Sequence, residues 1–535
     1  MEPTDPRPAE SSLTDLLAGL PAAATALWCG ESTWTFGDLD RAVRRAAAGL
    51  RALGIGPGDR VALWLPNTPE WYVLFLALAR LGAVAVAVNT RFRSHEVQDI
   101  VGRSGCKALV LWPGFRGIDF PAILAGVDPA ALGALEHAVV VGGGAAAVGL
   151  DVATVAYEAL LDHPPLDQAV GGAGDGVVLF TTSGTTSAPK FVCHRQGAIV
   201  HHGRDVAADF GLDGDGDGEG VLQVLPLCGV FGFTLAMAAL AAGRPMAIQP
   251  AFDGAAAAAM IHRHRLTVSV GTDDMVQALL DAVPGDDPFP SLRFMGYAAF
   301  NPALEDIAAR AGERGVRLCG LYGMSEVHAL YARQHEDAPL AERVKPGGRP
   351  VSPLAAARVC DPDTGEVLEP GVKGELQLKG PSLMVEYWGN PAATAAAFTA
   401  DGFLKTGDFA TMEPDGRFHY LGRMGDVLRL GGFLTSPLEI EEYLMTAPGV
   451  AACQVVGGER DGKPVAVAFV IGEPGAALDE AALTAHCRAG LAGYKVPARV
   501  FVVDRFPTTD GPNGVKIQRA ELRRMAAEGM AAGAK

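Results

Sequence analysis

The sequence predicts an α/β protein with a large N-terminal domain of stacked α/β sheets, a β-rich subdomain and a small C-terminal α+β domain. Helical segments alternate with wholly apolar strand segments up to about residue 330, the pattern of parallel sheets covered by helices. Short strands separated by Gly and Pro turns occupy about 345–422, and the pattern changes again after Gly422. We therefore expect domains at 1–422 and 423–535.

The first elements have clear local signals. Thr35 and Asp38 form a helix N-cap pair, and apolar residues then recur at helical spacing. The longest apolar stretch, 71–88, is interrupted by Arg80 and Gly82, so it predicts a buried helix that leads into a strand and no membrane span. Further segments follow in the order strand 61–65, helix 94–104 and strand 108–112.

The C-terminal domain begins with a capping box at Ser436–Glu439, with Pro at the first helical position. A strand at 465–471, a helix at 478–491 and a strand at 500–503 complete the α+β pattern. Charge also divides the chain near this boundary. Residues 424–535 carry 12 basic and 13 acidic side chains, so nearly all of the net charge of −17 lies before them.

Composition excludes several classes of protein. Apolar residues make up 49% and charged residues 20% of the 535 residues, as in globular proteins. A net charge of −17 argues against nucleic-acid binding and against binding to anionic membranes, although a few cations could hold an anionic small molecule. The eight Cys are scattered without a CxxC, and the polar N-terminus lacks signal-peptide features. We expect a reduced, cytoplasmic protein.

The strongest chemical signal is TTSGTTSAPK at 181–190, which follows the apolar strand 177–180 and precedes a helix from about Gln196. Backbone N–H groups and hydroxyls of such a loop can surround phosphate oxygens, and its Lys adds positive charge. The spacing differs from that of a P-loop. An ordinary polar turn is the alternative.

Three weaker signals follow. YGMSE at 322–326 delivers a hydroxyl and a carboxylate after a strand, a combination that suits Mg²⁺ bound to phosphate. TGD at 406–408 precedes Arg423 by 15 residues, and a carboxylate with an Arg can hold a ribose or phosphate. Lys516 follows a Pro/Gly loop. Each of these, taken alone, is more typical of a solvated surface.

Together the motifs resemble the ANL superfamily of adenylate-forming enzymes, in its acyl-CoA synthetase branch. The resemblance covers nearly the whole chain. The motifs stand in the family's order and spacing, and three further stretches match at 35–67, at 374–391 (GELQLKGPSLMVEYWGNP) and at 425–444. It implies a mobile C-terminal domain and a two-step reaction. A carboxylate attacks the α-phosphate of MgATP to give an acyl-adenylate and pyrophosphate, and the thiol of CoA then displaces AMP.

The resemblance also implies residue roles. Lys516 would bridge carboxylate and α-phosphate as a catalytic cation, with Glu326 holding Mg²⁺ and Lys190 on the phosphate loop. Asp408 would bind the ribose hydroxyls beside Arg423. The implied nucleotide-binding positions are Thr182, Ser183, Gly184, Thr185, Thr186, Lys190, Tyr322, Gly323, Ser325, Asp408 and Arg423.

The remaining roles concern CoA, the hinge and the acid. Gly431 and Gly432 would leave room for the pantetheine arm of CoA, and Gly425 would be the hinge of the C-terminal domain. The implied acyl pocket consists of Gly229, Phe231, Phe233, Ala298, Met324 and His328.

The sequence departs from the family pattern at several positions. Ser187 and Phe191 replace glycines, Gly229 replaces a His or aromatic residue, Gly425 replaces an Asp or Lys, and Val515 replaces a Gly. These departures keep every charge that the chemistry needs. They affect the phosphate loop, the acyl pocket and the hinge. The efficiency of adenylation is therefore in question.

Four functions remain open. The leading hypothesis is an AMP-forming acyl-CoA ligase that acts on a hydrophobic, bulky aryl or alicyclic acid. Because residues 228–235 contain no carboxylate to pair with an ammonium group, an amino acid is disfavoured. The alternatives are a ligase that only forms the thioester from a preformed acyl-adenylate, an enzyme that loads a carrier protein, and a non-catalytic relic. A homodimer is also left open.

Overall fold

The computed structural model describes residues 11–143, 148–182, 189–214, 220–299, 304–424, 428–430, 433–435, 437–460, 463–491, 493–511 and 514–532. The strands of the first half are β1 Thr25–Cys29, β2 Ser32–Thr35, β3 Arg60–Trp64, β4 Val84–Ala87, β5 Ala108–Leu111, β6 His137–Val140, β7 Ala153–Ala156, β8 Gly176–Thr181, β9 Phe191–Arg195, β10 Val221–Gln223, β11 Met246–Ile248, β12 Val268–Thr272, β13 Phe294–Ala298 and β14 Leu318–Tyr322.

The second half is richer in antiparallel strands. Its strands are β15 Ala332–Arg333, β16 Gly347–Pro350, β17 Ala356–Cys360, β18 Gly374–Lys379, β19 Glu386–Tyr387, β20 Leu404–Met412, β21 Phe418–Arg423, β22 Leu428–Leu430, β23 Phe433–Thr435, β24 Val450–Arg460, β25 Lys463–Gly472, β26 Arg499–Val502, β27 Thr508–Gly511 and β28 Gly514–Ile517.

Helices cover the sheets. They are α1 Leu13–Ala18, α2 Phe36–Ala52, α3 Pro69–Leu81, α4 Ser94–Ser104, α5 Phe120–Ala125, α6 Tyr157–Leu161, α7 Gln196–Asp209, α8 Val230–Ala241, α9 Gly254–His264, α10 Asp273–Ala282, α11 Ile307–Glu313, α12 Leu340–Arg343, α13 Pro391–Ala397, α14 Pro437–Met445, α15 Glu480–Gly490 and α16 Arg519–Ala532. None of them, in the part of the chain that the structure describes, is long and apolar enough to cross a membrane.

Two large sheets form the N-terminal part. Within the described ranges, one has the strand order β17-β18-β20-β21-β16-β15-β14-β13-β12-β10-β11-β1-β2, and the other β19-β9-β8-β4-β3-β5-β6-β7. Strands β10 to β14 of the first sheet and β3 to β8 of the second pair in parallel wherever they are neighbours. The β-rich strands β16 to β18, β20 and β21 extend the first sheet through β15.

The predicted α/β fold class is confirmed, and so are its main elements. Thr35 accepts from the Asp38 N–H in a complete capping box at the start of α2, and α4 has the predicted bounds. The apolar stretch 71–88 forms α3 and β4, both of which are buried. Strand β9 was not predicted, because no element was assigned between the loop that ends at Lys190 and the helix from about Gln196.

The C-terminal elements form cores of their own. One cluster contains Leu430, Ile440 and Val455, and another contains Phe469 and Leu522. The clusters that include residues before 424 contain no residue beyond it among those described. The predicted strand at 465–471 is β25, and Lys516 lies in the hairpin of β27 and β28.

Candidate functional site

The phosphate-loop motif begins and ends at the hairpin of β8 and β9. The Thr182 N–H donates to the Lys190 carbonyl at 3.0 Å, and the Lys190 N–H donates to Thr182 Oγ1 at 3.2 Å. These two bonds close the base of the loop. The predicted positions Ser183, Gly184, Thr185 and Thr186, with Ser187, lie outside the described residues.

Lys190 is linked to Glu326 through a tyrosine. The Lys190 Nζ lies 4.4 Å from the centre of the Tyr387 ring, and the Tyr387 hydroxyl donates to Glu326 Oε1 at 2.7 Å. Both Tyr387 and Glu326 are buried. Burial, with the charge and hydrogen bond of Glu326, raises the pKa of Tyr387 above its ordinary value, so the phenol keeps its proton and donates.

A second tyrosine holds the other carboxylate. The Tyr322 hydroxyl donates to Asp408 Oδ2 at 2.6 Å, and Arg423 Nε lies 3.1 Å from Asp408 Oδ1. Asp408 and Arg423 are directly opposite each other on β20 and β21, which brings two signals that lie 15 residues apart into one ion pair. Gly407 before Asp408 has a φ of 68°, a conformation that favours glycine. The Asp408 side chain is 3% exposed and the Arg423 side chain 57%.

The turn after Glu326 has an unusual backbone. His328, Ala329 and Leu330 have φ values of 63°, 47° and 41°, the left-handed region that non-glycine residues seldom adopt. A Cβ on Gly323 would lie 2.7 Å from both Ala329 Cα and Leu330 N, so glycine is needed there. The consecutive left-handed residues form what we call the left-handed turn, which packs directly against YGMSE.

Side chains from three other elements hold the left-handed turn and the residues before it. His194 on β9 lies with Nε2 2.7 Å from the Ser325 carbonyl, and His202 on α7 lies with Nε2 2.8 Å from the Ala329 carbonyl. The Thr234 hydroxyl on α8 donates to the His328 carbonyl at 2.5 Å. A carbonyl only accepts, so both histidines carry their proton on Nε2.

The three buried imidazoles are neutral. Burial lowers the pKa of His194 to about 4 and that of His202 to about 4. In His202 the charge of Asp205 opposes this shift. Burial, with the two neighbouring histidines, also lowers the pKa of His328 well below its usual value. The ring centres of His194 and His202 lie 4.7 Å and 5.5 Å from that of His328.

The predicted acyl-pocket residues fall into two groups. Gly229 is the N-cap of α8, and Phe231 and Phe233 are buried on that helix. Phe233 makes edge-to-face contacts with its ring 5.4 Å from His328. Ala298 at the end of β13 and Met324 are partly exposed. Phe233 also belongs to an aromatic cluster with Trp71, Phe75 and Phe180.

The C-terminal candidates are described only in part. The Lys516 backbone pairs with Thr509 in the hairpin of β27 and β28. Gly425, Gly431 and Gly432 lie outside the described residues. Among the described residues, no group of three or more His, Cys, Asp or Glu side chains could by itself hold a metal ion. A Mg²⁺ ion at Glu326 would therefore need oxygens from its ligand, as phosphate provides.

Sequence reasoning missed Tyr387, His194 and His202 as site residues. Tyr387 lies in the stretch at 374–391 that carries the resemblance, and the pairing of β19 with β9 brings it to Glu326. From the sequence we interpreted the pair His201–His202 as part of a solvated helix face, which is wrong for His202, since it is 1% exposed. The signal that could have identified His202 is its spacing of one helical turn from apolar residues of α7.

Two family models match this chain over most of its length. A family model described as "AMP-binding enzyme" matches residues 17–388, and one described as "AMP-binding enzyme C-terminal domain" matches 439–511. A feruloyl-CoA synthase of Amycolatopsis sp is 34% identical over 506 residues, covering 94% of this chain and 96% of the relative.

One further relative and one solved structure are also similar to this chain. A 3-[(3aS,4S,7aS)-7a-methyl-1,5-dioxo-octahydro-1H-inden-4-yl]propanoyl:CoA ligase of Mycobacterium tuberculosis is 33% identical over 528 residues, covering 97% of this chain and 99% of the relative. The crystal structure of ATP-bound MatB from Rhodopseudomonas palustris superimposes with a TM-score of 0.81 at 26% identity, covering 97% and 99% of the two chains.

The buried histidines predict acid-sensitive stability. Their folded pKa values lie below the ordinary ~6.5, so below that pH the unfolded chain binds more protons and stability falls, by about 1.4 kcal/mol per pH unit per histidine until the folded pKa is reached. We expect the melting temperature to fall between pH 7 and pH ~4, with part of this loss removed in His328→Phe. The exposed variant His95→Phe should keep the wild-type pH dependence. An equal pH dependence in all three proteins would contradict the assignment.

Proposed function

The chain belongs to the AMP-binding enzyme family, and we propose that its substrate is a hydrophobic, bulky aryl or alicyclic carboxylic acid. It is an AMP-forming acid–CoA ligase, which forms an acyl-adenylate from ATP and transfers the acyl group to CoA. Relatives named for feruloyl and for an alicyclic propanoyl group support this class of acid. The apolar residues Phe231 and Phe233, and the lack of a carboxylate at 228–235, agree with it.

One observation carries the assignment of the site. Two tyrosine hydroxyls fix two carboxylates at the two ends of YGMSE: Tyr387 donates to its last residue, Glu326, and its first residue, Tyr322, donates to Asp408. Lys190 lies over the Tyr387 ring. The phosphate loop, the YGMSE turn and the TGD strand are thereby joined. A nucleotide needs these three kinds of group for its phosphates, its metal ion and its ribose.

In the first step, a carboxylate oxygen of the acid bonds to the α-phosphorus of ATP and the bond to pyrophosphate breaks. We assign Lys190 and the loop from Thr182 to the departing phosphates. We assign Lys516 to the negative charge that builds on the α-phosphate, since a placed cation stabilises that transition state. Asp408 has four lone-pair positions, so it can accept ribose hydroxyls while it keeps Tyr322 and Arg423.

Glu326 fits a Mg²⁺ ion carried by ATP. Its carboxylate is buried, and Oε1 accepts a hydrogen bond from a neutral phenol instead of pairing with a cation. A hard oxygen ligand of this kind, completed by phosphate oxygens and water, suits Mg²⁺, which when bound neutralises phosphate charge. Tyr387 acts as a positioning residue, because its hydrogen bond fixes the direction of the carboxylate.

In the second step, the thiol of CoA attacks the acyl carbonyl and AMP leaves. We assign Gly431 and Gly432 to the passage of the pantetheine arm, and Gly425 to the hinge between domains 1–422 and 423–535, with a subdomain at 345–422. The separate hydrophobic clusters before and after residue 424 support a C-terminal domain that moves as a unit.

A second candidate function is thioester formation alone, from an acyl-adenylate that another enzyme supplies. The departures at Gly229, Ser187 and Gly425 favour it. A carrier protein remains the alternative thiol acceptor, and a homodimer the alternative to a monomer. We place the protein in the cytoplasm, because all eight cysteines are free thiols.

Pyrophosphate release separates the two functions. With ATP, Mg²⁺ and a panel of aryl and alicyclic acids, we expect at least one acid to release pyrophosphate without CoA. The thioester-only function predicts no release from any acid, but formation of the CoA ester from a synthetic acyl-adenylate.

The variant Tyr387→Phe tests the Glu326 assignment. Loss of the hydroxyl should lower pyrophosphate release about 10–100-fold and raise the Mg²⁺ concentration at half-maximal rate. Tyr157→Phe is the control, because the Tyr157 hydroxyl is buried with no described hydrogen-bond partner. An unchanged Mg²⁺ dependence in Tyr387→Phe would remove Tyr387 from the site.

The variant Lys516→Ala tests the two steps separately. Adenylation should fall about 10²–10³-fold or more, because a transition-state cation is lost. Thioester formation from a synthetic acyl-adenylate should stay near the wild-type rate. Lys463→Ala, an exposed change in the same domain, is the control. Equal losses in both steps would refute the role given to Lys516.

A further inference from the structure

Arg103, the penultimate residue of helix α4, contacts the base of the phosphate loop. Its Nη2 donates to the Pro189 carbonyl at 2.8 Å, and its guanidinium carbon lies 4.6 Å from the centre of the Phe191 ring. Phe191 is 2% exposed and packs in one hydrophobic cluster with apolar residues of α4. Helix α4 therefore supports the segment around Lys190 through a hydrogen bond, a cation–π contact and apolar packing.

Asp99 holds the Arg103 guanidinium in place. Arg103 Nε donates to Asp99 Oδ1 at 2.7 Å, and Nη2 donates to Asp99 Oδ2 at 2.6 Å. The two residues lie four positions apart, one turn of α4, so they share a face of the helix. Nη2 has two N–H groups, one for Asp99 and one for Pro189. The planar guanidinium is therefore fixed by two carboxylate oxygens and one carbonyl oxygen.

The peptide group between Pro189 and Lys190 is held at both ends. Its carbonyl accepts from Arg103, and its N–H donates to Thr182 Oγ1 at 3.2 Å. The C=O and N–H of a planar trans peptide group point in opposite directions, so rotation of the plane would break at least one of these bonds. The backbone torsions on either side are thereby restricted, and with them the direction of the Lys190 side chain.

The Arg103 contact brings little net charge to the loop. Arg103 forms an ion pair with Asp99, and opposite charges at hydrogen-bond distance largely cancel each other at longer range. Lys190, in contrast, lies over the uncharged ring of Tyr387. Arg103 is therefore better suited to orient Lys190 than to attract an anion itself.

We propose that Arg103, fixed by Asp99, is a positioning residue that orients Lys190 toward the β- and γ-phosphates of ATP. This rests on the proposed function, in which Lys190 and the loop from Thr182 hold the departing phosphates. The effect belongs to the first step alone, because the acyl-adenylate of the second step has lost both of these phosphates. Binding of AMP, which has neither phosphate, is likewise independent of Arg103.

The affinities for MgATP and AMP test the proposal without any acid. Calorimetry gives the ratio of the two affinities, which isolates the contribution of the β- and γ-phosphates. In Arg103→Ala we expect the affinity for MgATP to fall about tenfold or more, while the affinity for AMP stays near that of the wild type. An unchanged ratio in Arg103→Ala would overturn the proposal.

Arg310→Ala is the matched control for this variant. Arg310 also forms an ion pair with an Asp four residues earlier in a helix, and its side chain is 38% exposed, against 41% for Arg103. The two variants therefore remove the same kind of surface ion pair, but only Arg103 contacts the base of the phosphate loop. The ratio of MgATP to AMP affinity should stay at the wild-type value in Arg310→Ala.

The variant Asp99→Ala separates positioning from direct attraction of phosphate. If Arg103 attracted phosphate through its own charge, removal of the neighbouring carboxylate would raise the affinity for MgATP. If Arg103 acts through Pro189, loss of Asp99 releases the guanidinium and the affinity should fall, by a smaller factor than in Arg103→Ala. An unchanged or higher affinity would overturn the proposal. Because AMP binding reports a folded site, this variant decides even where Arg103→Ala does not fold.

Rates of the two steps give a second readout. With an acid that the wild type turns over, pyrophosphate release by Arg103→Ala should fall, while formation of the CoA ester from a synthetic acyl-adenylate should stay near the wild-type rate. Equal losses in both steps would indicate a merely structural role and overturn the proposal.

The same affinities separate this inference from the proposed function. If the wild type binds MgATP no more tightly than AMP, the assignment of Lys190 to the phosphates fails, and the role of Arg103 fails with it. If the wild type prefers MgATP and Arg103→Ala keeps that preference, only the role of Arg103 fails.

Discussion

The site depends on one backbone constraint, the left-handed turn at 328–330. A turn of this kind is unfavourable for three consecutive non-glycine residues, so the surroundings must hold it. Gly323 lets it pack closely, and hydrogen-bonding side chains from β9, α7 and α8 bind the carbonyls of 325, 329 and 328. Glu326, which accepts a hydrogen bond from Tyr387, lies two residues before this turn.

Uncharged donors organise the charges of the site. An acidic protein that binds a polyanion must place its few cations against the field of its own carboxylates. Phenols from Tyr322 and Tyr387 stabilise the two buried carboxylates and bring no net charge. Lys190 rests on the face of a ring. No ion pair in the part of the chain that the structure describes neutralises its charge.

The sequence predicted the features that depend on residues close together in the chain. Capping at Thr35 and the bounds of α4 both rest on neighbours within a few positions. It did not predict Tyr387 at Glu326 or His194 at Ser325, because those contacts join residues 61 and 131 positions apart through sheet pairing. Strand β9 was missed because five residues with a charged end resemble loop as much as strand.

Strand β9 carries Lys190 just before its first residue and His194 as its fourth, and it pairs with the strand that holds Tyr387. A displacement at the Lys190 end of the hairpin therefore acts on the same five-residue segment whose His194 holds the Ser325 carbonyl. Two ligands that bound at the two ends of this segment would be thermodynamically linked. Whatever factor one of them imposes on the affinity of the other is returned in equal measure.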